Sequence, residues 1–320
     1  MSFELETLAL PTEYSLGRIT VYRAEDREPY ALLDARGIVE VPRNAKLILD
    51  LSQEICADLT RIKSVPARLL EEGLHFFEKN LDTTDFRQIP PLMPTVLSIG
   101  RCERIHIGQI KQLGELSSLQ HLSFSYTTLD APDFLWLKGF PNLKSLILTG
   151  TGATGDCIKC LADLSQLEVL DLGECKLTDQ EVQNIWRVRN LKSVNLRGCR
   201  LGDAALRGIG ACSELQSLHL DETLVSDMGI EFLVAEGLRT NLKISSLGLR
   251  DCGITDKSLV NLAAWKELRL ATFWGSKVTP EGVAFFKSVL PDCVIFVERE
   301  KGGGPKLWQS DDRQKSDKSR

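Results

Sequence analysis

The sequence has little of what catalytic and nucleic-acid-binding proteins usually concentrate. It contains four histidines in 320 residues, aromatic residues make up 7%, and the formal net charge is −5. A nucleic-acid surface needs clustered lysine and arginine, so this balance argues against a nucleic-acid partner. The basic segment of the chain begins at Arg299, where seven basic residues stand against four acidic ones. The body before it is therefore more acidic than the whole chain.

Long apolar runs are also missing. No uninterrupted run approaches the ~20 residues that a membrane helix needs, and the amino-terminal stretch MSFELETLALPTEY does not resemble a secretory signal. The nine cysteines are an odd number, and most of them fall at repeated positions rather than in a disulfide framework. This usage favours free thiols in a reducing, cytoplasmic compartment.

The sequence does contain a 24-residue repeat. Its units begin at Leu119, Leu143, Leu167, Leu191 and Leu215 and, after a five-residue insertion, at Ile244 and Leu268. The fourth and sixth positions are apolar, and this alternation predicts a strand with one buried face. Positions 16 and 19 are apolar as well, and their i, i+3 spacing predicts an amphipathic helix. A fixed period of this length is typical of a solenoid.

The ninth position of each unit holds a small side chain with a polar atom. These residues are Thr127, Thr151, Cys175, Cys199, Thr223, Cys252 and Ser276. We expect them where each strand turns into the core, because backbone groups there need an internal partner. Cys175 and Cys199 would lie on adjacent strands, with parallel side chains and free thiols.

The signature LxxLxLxxC-x-L-T-D resembles the leucine-rich repeat family, in particular its cysteine-containing branch, over residues 45–297. The resemblance implies an α/β solenoid curved into a horseshoe, with parallel strands on its concave face and helices on its convex face. Such a fold hosts many unrelated functions, so the resemblance says less about function than about structure.

Four segments are expected along the chain. They are a disordered N-terminus (1–15), a β-rich cap (16–51), the solenoid (52–297) and a disordered tail (298–320). The cap prediction rests on the alternation of Ile19 and Val21 and on two strands flanking a Pro-Arg-Asn turn within residues 37–51. It would cover the first open strand edge, and similar short β leaders precede the repeats in some bacterial members of the family.

Helix starts can also be placed. Thr178 and Glu181 are expected to form a capping box, and Thr279 to cap a helix that begins with Pro280. An aspartate recurs at the first helical position, where a carboxylate favours the helix dipole. These residues are Asp179, Asp203, Asp227 and Asp256. Because they recur for capping, they are poor catalytic candidates.

Two short motifs suggest chemistry, and both are better explained by the repeat. The stretch GTGATG at residues 150–155 matches a dinucleotide fingerprint, but Thr151 and Ala153 occupy the repeat's own ninth and eleventh positions. Cys157 and Cys160 form a lone CxxC, whereas a zinc site needs further ligands. We expect both thiols to be exposed.

The outward side chains of the strands form the candidate binding site. They are Asp171, Asn195, Arg197, His219, Asp221, Arg250 and Trp274, with Glu174, Glu222 and Asp251 beside them. Solenoids bind through this extended surface, and Arg and Trp are frequent anchors. His219 between two aspartates suggests a metal site, but one histidine on a flat sheet is more typical of a solvated polar face. No Ser-His-Asp or Cys-His arrangement stands out.

We therefore expect a non-catalytic protein-interaction scaffold that binds a protein partner through the concave face. The protein should be cytoplasmic and monomeric when free. We expect no cofactor or metal, and no nucleic-acid or membrane partner. One alternative is a substrate-recognition subunit of a ubiquitin-ligase-like assembly, although the amino terminus lacks a recognisable F-box. Another is a nucleotide- or thiol-dependent enzyme. The convex helices are a rival binding surface, since Trp136 and Trp186 are expected to be exposed there.

Overall fold

A computed structural model describes residues 5–22, 29, 31–70, 73–103, 105–130, 134–299 and 305–307. The chain divides into two compact units, Met1–Thr151 and Gly152–Arg320. The repeat pattern did not predict this division, because the 24-residue period continues through it. Each unit is built from coils, and each coil is a strand, a tight turn and a return segment that is mostly helical.

The described strands of the first unit are β1 (Leu5–Ala9), β2 (Gly17–Tyr22), β3 (Ala31–Asp34), β4 (Ile38–Pro42), β5 (Lys46–Leu51), β6 (Leu74–Phe77), β7 (Val96–Gly100), β8 (Ile105–His106), β9 (His121–Ser123), β10 (Leu129–Asp130) and β11 (Ser145–Ile147). In its main sheet they follow in the order β3-β2-β5-β6-β7-β9-β11. Pairing is antiparallel from β3 to β5 and parallel from β5 onward. Two small pairs accompany this sheet, β1 with β4 and β8 with β10.

The β-rich start of the chain is confirmed, and it is longer than expected. The predicted strands around Ile19 and within residues 37–51 are β2, β4 and β5, and β2 covers the edge of β5. The prediction of a disordered N-terminus is wrong for residues 5–9, which form β1. The structure gives the reason for this difference. Leu8 and Leu10, two residues apart, are both buried, and β1 hydrogen-bonds to β4. Residues 1–4 lie outside the described part of the chain.

The described strands of the second unit are β12 (Val169–Asp171), β13 (Ser193–Asn195), β14 (Ser217–His219), β15 (Ser246–Gly248), β16 (Leu270–Thr272), β17 (Val294–Arg299) and β18 (Pro305–Leu307). They follow one another in sequence order, parallel from β12 to β17. The register aligns fourth positions, for example Val194 with Leu218, and both are fully buried. The repeat alignment is confirmed residue by residue.

The prediction of a disordered tail is wrong for residues 305–307. They form β18, which pairs antiparallel with β17 and so occupies the outer edge of that strand. An unpaired edge exposes backbone donors and acceptors, and a returning strand satisfies them. The rest of the predicted tail, including Trp308, lies outside the described residues.

The helices are α1 (Gln53–Ala57), α2 (Ala67–Leu70) and α3 (Ile107–Gln112) in the first unit, and α4 (Gly155–Leu161), α5 (Asp179–Val182), α6 (Asp227–Thr240), α7 (Asp256–Leu262) and α8 (Pro280–Val289) in the second. Short 3₁₀ segments take their place or extend them at Leu59–Ser64, Phe86–Gln88, Pro90–Leu92, Leu135–Gly139, Ile185–Arg187, Asp203–Leu206 and Ile209–Ala211. The i, i+3 spacing also fits three residues per turn, which explains why some predicted helices are 3₁₀. The five-residue insertion extends α6 to 14 residues.

Several ninth-position side chains connect their coil to the one before it, whereas Thr151 and Thr223 donate to the sixth-position carbonyl of their own coil (2.7 Å each). In the connecting coils, the hydroxyl or thiol donates to the sixth-position carbonyl of the preceding coil. The bonds run from Cys199 to Leu172 (3.2 Å), from Cys252 to Leu220 (3.0 Å) and from Ser276 to Leu249 (3.0 Å). The expected role of this position, an internal partner for backbone groups in the core, is confirmed.

The expectation that Cys157 and Cys160 are exposed is wrong. Both side chains are buried on α4, at 0% and 6% exposure. Cys157 stands at the fifteenth position, which Ala205 and Ser258 also bury completely in later coils. Glu181, at the same position of the next coil, is only half-buried.

None of the nine cysteines is in a disulfide, and all nine are buried. Burial raises the pKa of the Cys199 and Cys212 thiols to about 12, and a protonated thiol is a poor nucleophile. We therefore predict that a thiol reagent at neutral pH leaves the native protein almost unmodified and titrates nine thiols after denaturation. Fewer than nine in denatured, unreduced protein would reveal a disulfide.

The recurring aspartates cap the next helical segment rather than only their own. Each carboxylate accepts the backbone N–H of the residue that precedes the following helical segment. The bonds run from Gly202 to Asp179 (2.8 Å), from Ser226 to Asp203 (2.7 Å), from Thr255 to Asp227 (2.9 Å) and from Thr279 to Asp256 (2.8 Å). We call this series the aspartate ladder. The predicted capping box at Thr178 and the cap at Thr279 are also confirmed.

Asp227 is the most heavily used member of the aspartate ladder. Its carboxylate also accepts from the hydroxyls of Thr255 and Ser258. We predict that Asp227→Ala lowers the free energy of unfolding by about 1–3 kcal/mol, since it leaves these donors unpaired. Asp156→Ala, an exposed helix-start aspartate paired only with Lys159, should change it by less than ~0.5 kcal/mol. Urea unfolding measures both.

The same residue predicts a pH dependence. Partial burial raises the pKa of Asp227, but hydrogen bonds from Ser258 and Thr255 outweigh it and hold the pKa below its ordinary value of 3.8. The stabilisation is therefore complete above that value and is lost as the pH falls through the folded-state pKa. The stability difference between the wild type and Asp227→Asn should shrink in this acid range. A difference that stays constant down to pH 2 would contradict the assignment.

Candidate functional site

The turn after each strand has a left-handed backbone at the eighth position of the repeat. The non-glycine residues there include Tyr126 (φ 53°), Glu174 (58°), Glu222 (58°) and Asp251 (52°), and glycines occupy it at Gly150, Gly198 and Gly275. A left-handed conformation favours glycine. The acidic side chains lean over the next coil, since a Cβ at Gly198 would lie 3.0 Å from Glu174 Cγ. This column was not anticipated, although its alternation of glycine with acids is visible in the sequence.

The predicted site residues do come together, all within the second unit. Asp171, Asn195 and His219 are in register on β12, β13 and β14. Arg197, Asp221, Arg250 and Trp274 each lie two residues after the end of a strand. We call these seven residues the strand face.

Asn195 fixes one end of the strand face. Its Nδ2 donates to Asp171 Oδ2 (2.9 Å), and its Oδ1 accepts the backbone N–H of Arg197 (3.0 Å). The other oxygen of Asp171 accepts from Gly173 N (2.9 Å). Both ends of the amide are therefore used, and this part of the face is held in one arrangement.

Two arginines share one carboxylate at the centre of the face. Arg197 Nη2 lies 3.1 Å from Glu222 Oε1, and Arg250 Nη2 contacts the same oxygen. Arg250 Nε lies 3.4 Å from Asp251 Oδ2, and its guanidinium carbon lies 4.5 Å from the centre of the Trp274 ring. The Arg250 side chain is 16% exposed and that of Arg197 is 44% exposed. Arg250 is thus built into the face, whereas Arg197 is accessible.

His219 lies between a hydroxyl and a carboxylate. Its Nε2 is 3.1 Å from Ser217 Oγ, and its Nδ1 is 3.8 Å from Asp221 Oδ2. The neighbouring Gly248 makes room, because a Cβ there would lie 2.3 Å from the same Asp221 oxygen. No Ser-His-Asp arrangement stood out in the sequence, yet the structure places Ser217, His219 and Asp221 side by side. The alternation S-x-H-x-D on one strand was its sequence signal.

Asp221 is held firmly as a carboxylate. Its Oδ1 accepts the backbone N–H of Arg250 (2.9 Å) and the Thr272 hydroxyl (3.3 Å). Burial raises the pKa of Asp221, but the nearby His219 ring and the hydrogen bond from the Arg250 backbone outweigh burial and hold the pKa below its ordinary value of 3.8. The negative charge beside His219 is therefore permanent at neutral pH.

Within the described ranges, no three histidine, cysteine, aspartate or glutamate side chains converge as metal ligands. At the strand face, the carboxylates are already bonded to other groups of the protein. Asp171 is directed to Asn195 and Gly173, while Asp221 is held by the Arg250 backbone. These carboxylates serve the protein's own donors.

The glycine-rich stretch at residues 150–155 has a similar explanation. Gly155 begins α4, and its N–H donates to Glu181 Oε1 at 3.0 Å. A phosphate bound in a dinucleotide site would use such a helix N-terminus, but here a carboxylate of the same chain already occupies it. A Cβ at Gly155 would overlap that carboxylate, so this glycine is needed for close packing.

A second exposed cluster lies in the first unit and was not predicted. Arg101 lies between two rings, its guanidinium carbon 5.9 Å from the centre of Phe77 and 5.8 Å from that of Tyr126. Both rings are exposed, at 47% and 44%. We call these three residues the aromatic–arginine stack. It borders a cavity of about 670 Å³ whose lining includes Asp50, Phe77 and Lys79. The irregular spacing of the early units hid it.

The predicted exposure of the two helix-side tryptophans is wrong. Trp186 is 1% exposed, and its Nε1 donates to Ala205 O at 2.8 Å. Trp136 is half-buried and packs against Phe124 and Phe140, with ring centres 5.7 and 6.1 Å apart. Both tryptophans lie in short 3₁₀ segments, and their rings fill the space beside these segments. The helix side of the second unit instead exposes Met228 and Val260.

None of the described helices combines the length and the apolar character that crossing a bilayer requires.

Comparison with known proteins gives a profile match and similar solved structures. A profile described as leucine rich repeat matches residues 189–210, which include β13 and the turn after it. No curated protein matches the chain. Among solved structures, it is similar to internalin C2 of Listeria monocytogenes, at 17% identity over 65% of this chain and 82% of that chain, with a TM-score of 0.48. An internalin F of the same species has 17% identity over 71% and 74%, with a TM-score of 0.47.

The class of the protein follows from the profile match together with the coils themselves. Strand, left-handed turn, buried ninth-position donor and helical return recur in register through the second unit. The chain has an α/β fold of the solenoid kind, built from coils that resemble leucine-rich repeats.

The two arginines of the strand face should differ in their effect on stability. Arg250 combines a shared carboxylate, a second acid and a ring contact, so we predict that Arg250→Ala lowers the free energy of unfolding by about 1–3 kcal/mol. Arg197→Ala removes one half-exposed ion pair and should cost less than ~1 kcal/mol. Urea unfolding of both variants measures the difference, and equal costs would show that Arg250 is not structural.

Proposed function

We propose that this protein is an interaction module that binds a protein partner through the strand face. The observation that carries the proposal is the combination of a fixed polar network with accessible anchor groups. Asp171, Asn195 and Asp221 are held by internal hydrogen bonds, while Arg197 and the half-buried Trp274 remain open to contact. In the predicted solenoid this surface is the concave face.

Preorganisation makes such a surface effective. Binding costs free energy when side chains must be ordered, and a side chain that is already held loses less. Trp274 is held against Arg250 at 4.5 Å, so one of the largest side chains of the face is positioned before a partner arrives. Trp and Arg are the residues that most often dominate interface energies.

Arg197 is the strand-face residue best placed to exchange its ion-pair partner. Its ion pair with Glu222 is half-exposed, and such pairs contribute only ~0–1 kcal/mol in water. A carboxylate on a partner can therefore replace or join Glu222 at little cost. Glu222 would still be neutralised by Arg250.

The proposal extends to the setting of the protein. We propose a monomer when free, in a reducing and cytoplasmic compartment. The nine cysteines, all buried and none in a disulfide, support the compartment, because a thiol-rich core is best maintained where disulfides do not form.

The test begins with affinity capture on the full chain and identification of the captured partner by mass spectrometry. The affinity of that partner for the full chain is then measured. We predict that Arg197→Ala and Trp274→Ala each weaken binding by at least ~2 kcal/mol, about 30-fold. Lys192→Ala is a matched control, since Lys192 pairs with Glu168 at 3.0 Å and its side chain is 46% exposed. It should leave the affinity unchanged.

Two further variants distinguish the rival surfaces. Arg101→Ala disrupts the aromatic–arginine stack of the first unit, and Val260→Asp places a charge on the helix side of the second unit. If either abolishes binding while Arg197→Ala and Trp274→Ala bind normally, the strand face is not the binding site. Circular dichroism confirms that each variant is folded.

A further inference from the structure

Ser217, His219 and Asp221 form a line of three groups on one coil of the second unit. They alternate along β14 and its extension, so all three side chains lie on the same side of the sheet. We infer that Ser217 is an activated nucleophile, with His219 as its general base and Asp221 as the positioning residue, and that it accepts an acyl group from an activated carboxylic ester. This inference does not depend on the proposed partner binding.

The distances satisfy the requirements of a nucleophile–base pair. Ser217 Oγ and His219 Nε2 are 3.1 Å apart, within the reach of a direct proton transfer. Both residues are partly exposed, so an ester in solution can approach the hydroxyl. The Ser217 hydroxyl is therefore accessible to an ester while it is in contact with His219 Nε2.

The third group orients the base. Asp221 Oδ2 lies 3.8 Å from His219 Nδ1, and catalytic contacts of this kind are often long before a substrate binds. Its other oxygen is fixed by Arg250 N and Thr272 Oγ1. A carboxylate held in this way favours the proton on Nδ1 and leaves Nε2 free to accept one from Ser217.

The step balances without a further reagent. Ser217 Oγ attacks the acyl carbon and its proton passes to His219 Nε2. The bond from the acyl carbon to the leaving oxygen then breaks, and that oxygen takes the proton from His219. The products are acyl-Ser217 and a free alcohol, and water hydrolyses the acyl group later by the same proton path.

Turnover should be slow. Efficient acyl transfer uses backbone N–H groups to stabilise the developing oxyanion. The N–H of Ser217 is instead bonded to Lys192 O at 3.0 Å within the sheet. We therefore expect the acyl group to accumulate on Ser217 rather than to be released rapidly.

The neighbouring coils supply internal controls. Ser193 and Ser246 lie in register with Ser217 on the adjacent strands. The residues in register with His219 are Asn195 and Gly248, and neither is a base. Three serines thus share the same position on adjacent strands, and only Ser217 among the three has a histidine two residues further along its strand.

The experiment treats the full chain with p-nitrophenyl acetate and, separately, with a fluorophosphonate. We expect a stoichiometric burst of p-nitrophenolate and modification of Ser217 in peptide mass spectra, at least ~10-fold faster than at Ser193 or Ser246. Ser217→Ala should abolish the burst, and His219→Asn should slow it at least ~100-fold. Ser193→Ala and Ser246→Ala should keep it.

The role of Asp221 has its own readout. Asp221→Asn keeps an acceptor for Arg250 N but removes the negative charge beside Nδ1, while Asp171, Arg197, Glu222 and Arg250 stay in place. Asp221→Asn should therefore slow the burst at least ~10-fold, whereas Asp221→Glu, which keeps the negative charge, should retain most of the rate. A merely structural role would make the two variants equally slow.

Several results would overturn the inference. They are the absence of a burst, equal labelling of the three serines, or a His219→Asn variant that reacts at the wild-type rate. If His219→Asn does not fold by circular dichroism, the distribution of label among the three serines in the wild type still decides the matter.

Discussion

Lateral hydrogen bonding between successive coils is the constraint on which this structure depends. No single coil buries its own apolar face, so each must dock on its neighbour. Three sets of bonds make that docking register-specific. Parallel strands pair residue by residue, several ninth-position side chains donate to the preceding coil, and the aspartate ladder joins successive helix starts. A shift by one residue would break all three at once.

The same lateral order builds the strand face. Because β12 to β16 are in register, side chains from distant parts of the sequence become neighbours at the strand spacing of ~4.8 Å. Glu222 can then receive Arg197 from the coil before it and Arg250 from the coil after it. Glycines at Gly248 and Gly198 leave room for neighbouring side chains to lean across. The face is a polar network supported by a rigid sheet rather than a set of independent surface charges.

Several features could be anticipated from particular residues, and others could not. The leucine columns predicted the strands and the alignment of Asp171, Asn195 and His219. The burial of Cys157 was missed because a charged residue, Glu181, stands at the same position of the next coil and is only half-buried. Trp186 was misplaced because a 3₁₀ return turns the side chain inward. The Ser217–His219–Asp221 line was overlooked since the three residues alternate with buried leucines that carry the repeat signal.

The sequence by itself determined the coil, because period-two apolar positions followed by i, i+3 positions can be buried together in only one repeating way. It also determined which residues face outward from the strands. Only the tertiary structure decided what those residues do to one another. Rotamers, the sharing of Glu222 by two arginines and the burial of Arg250 depend on contacts between coils. Sequence periodicity records which side of a strand a residue occupies, but not the distances across the sheet.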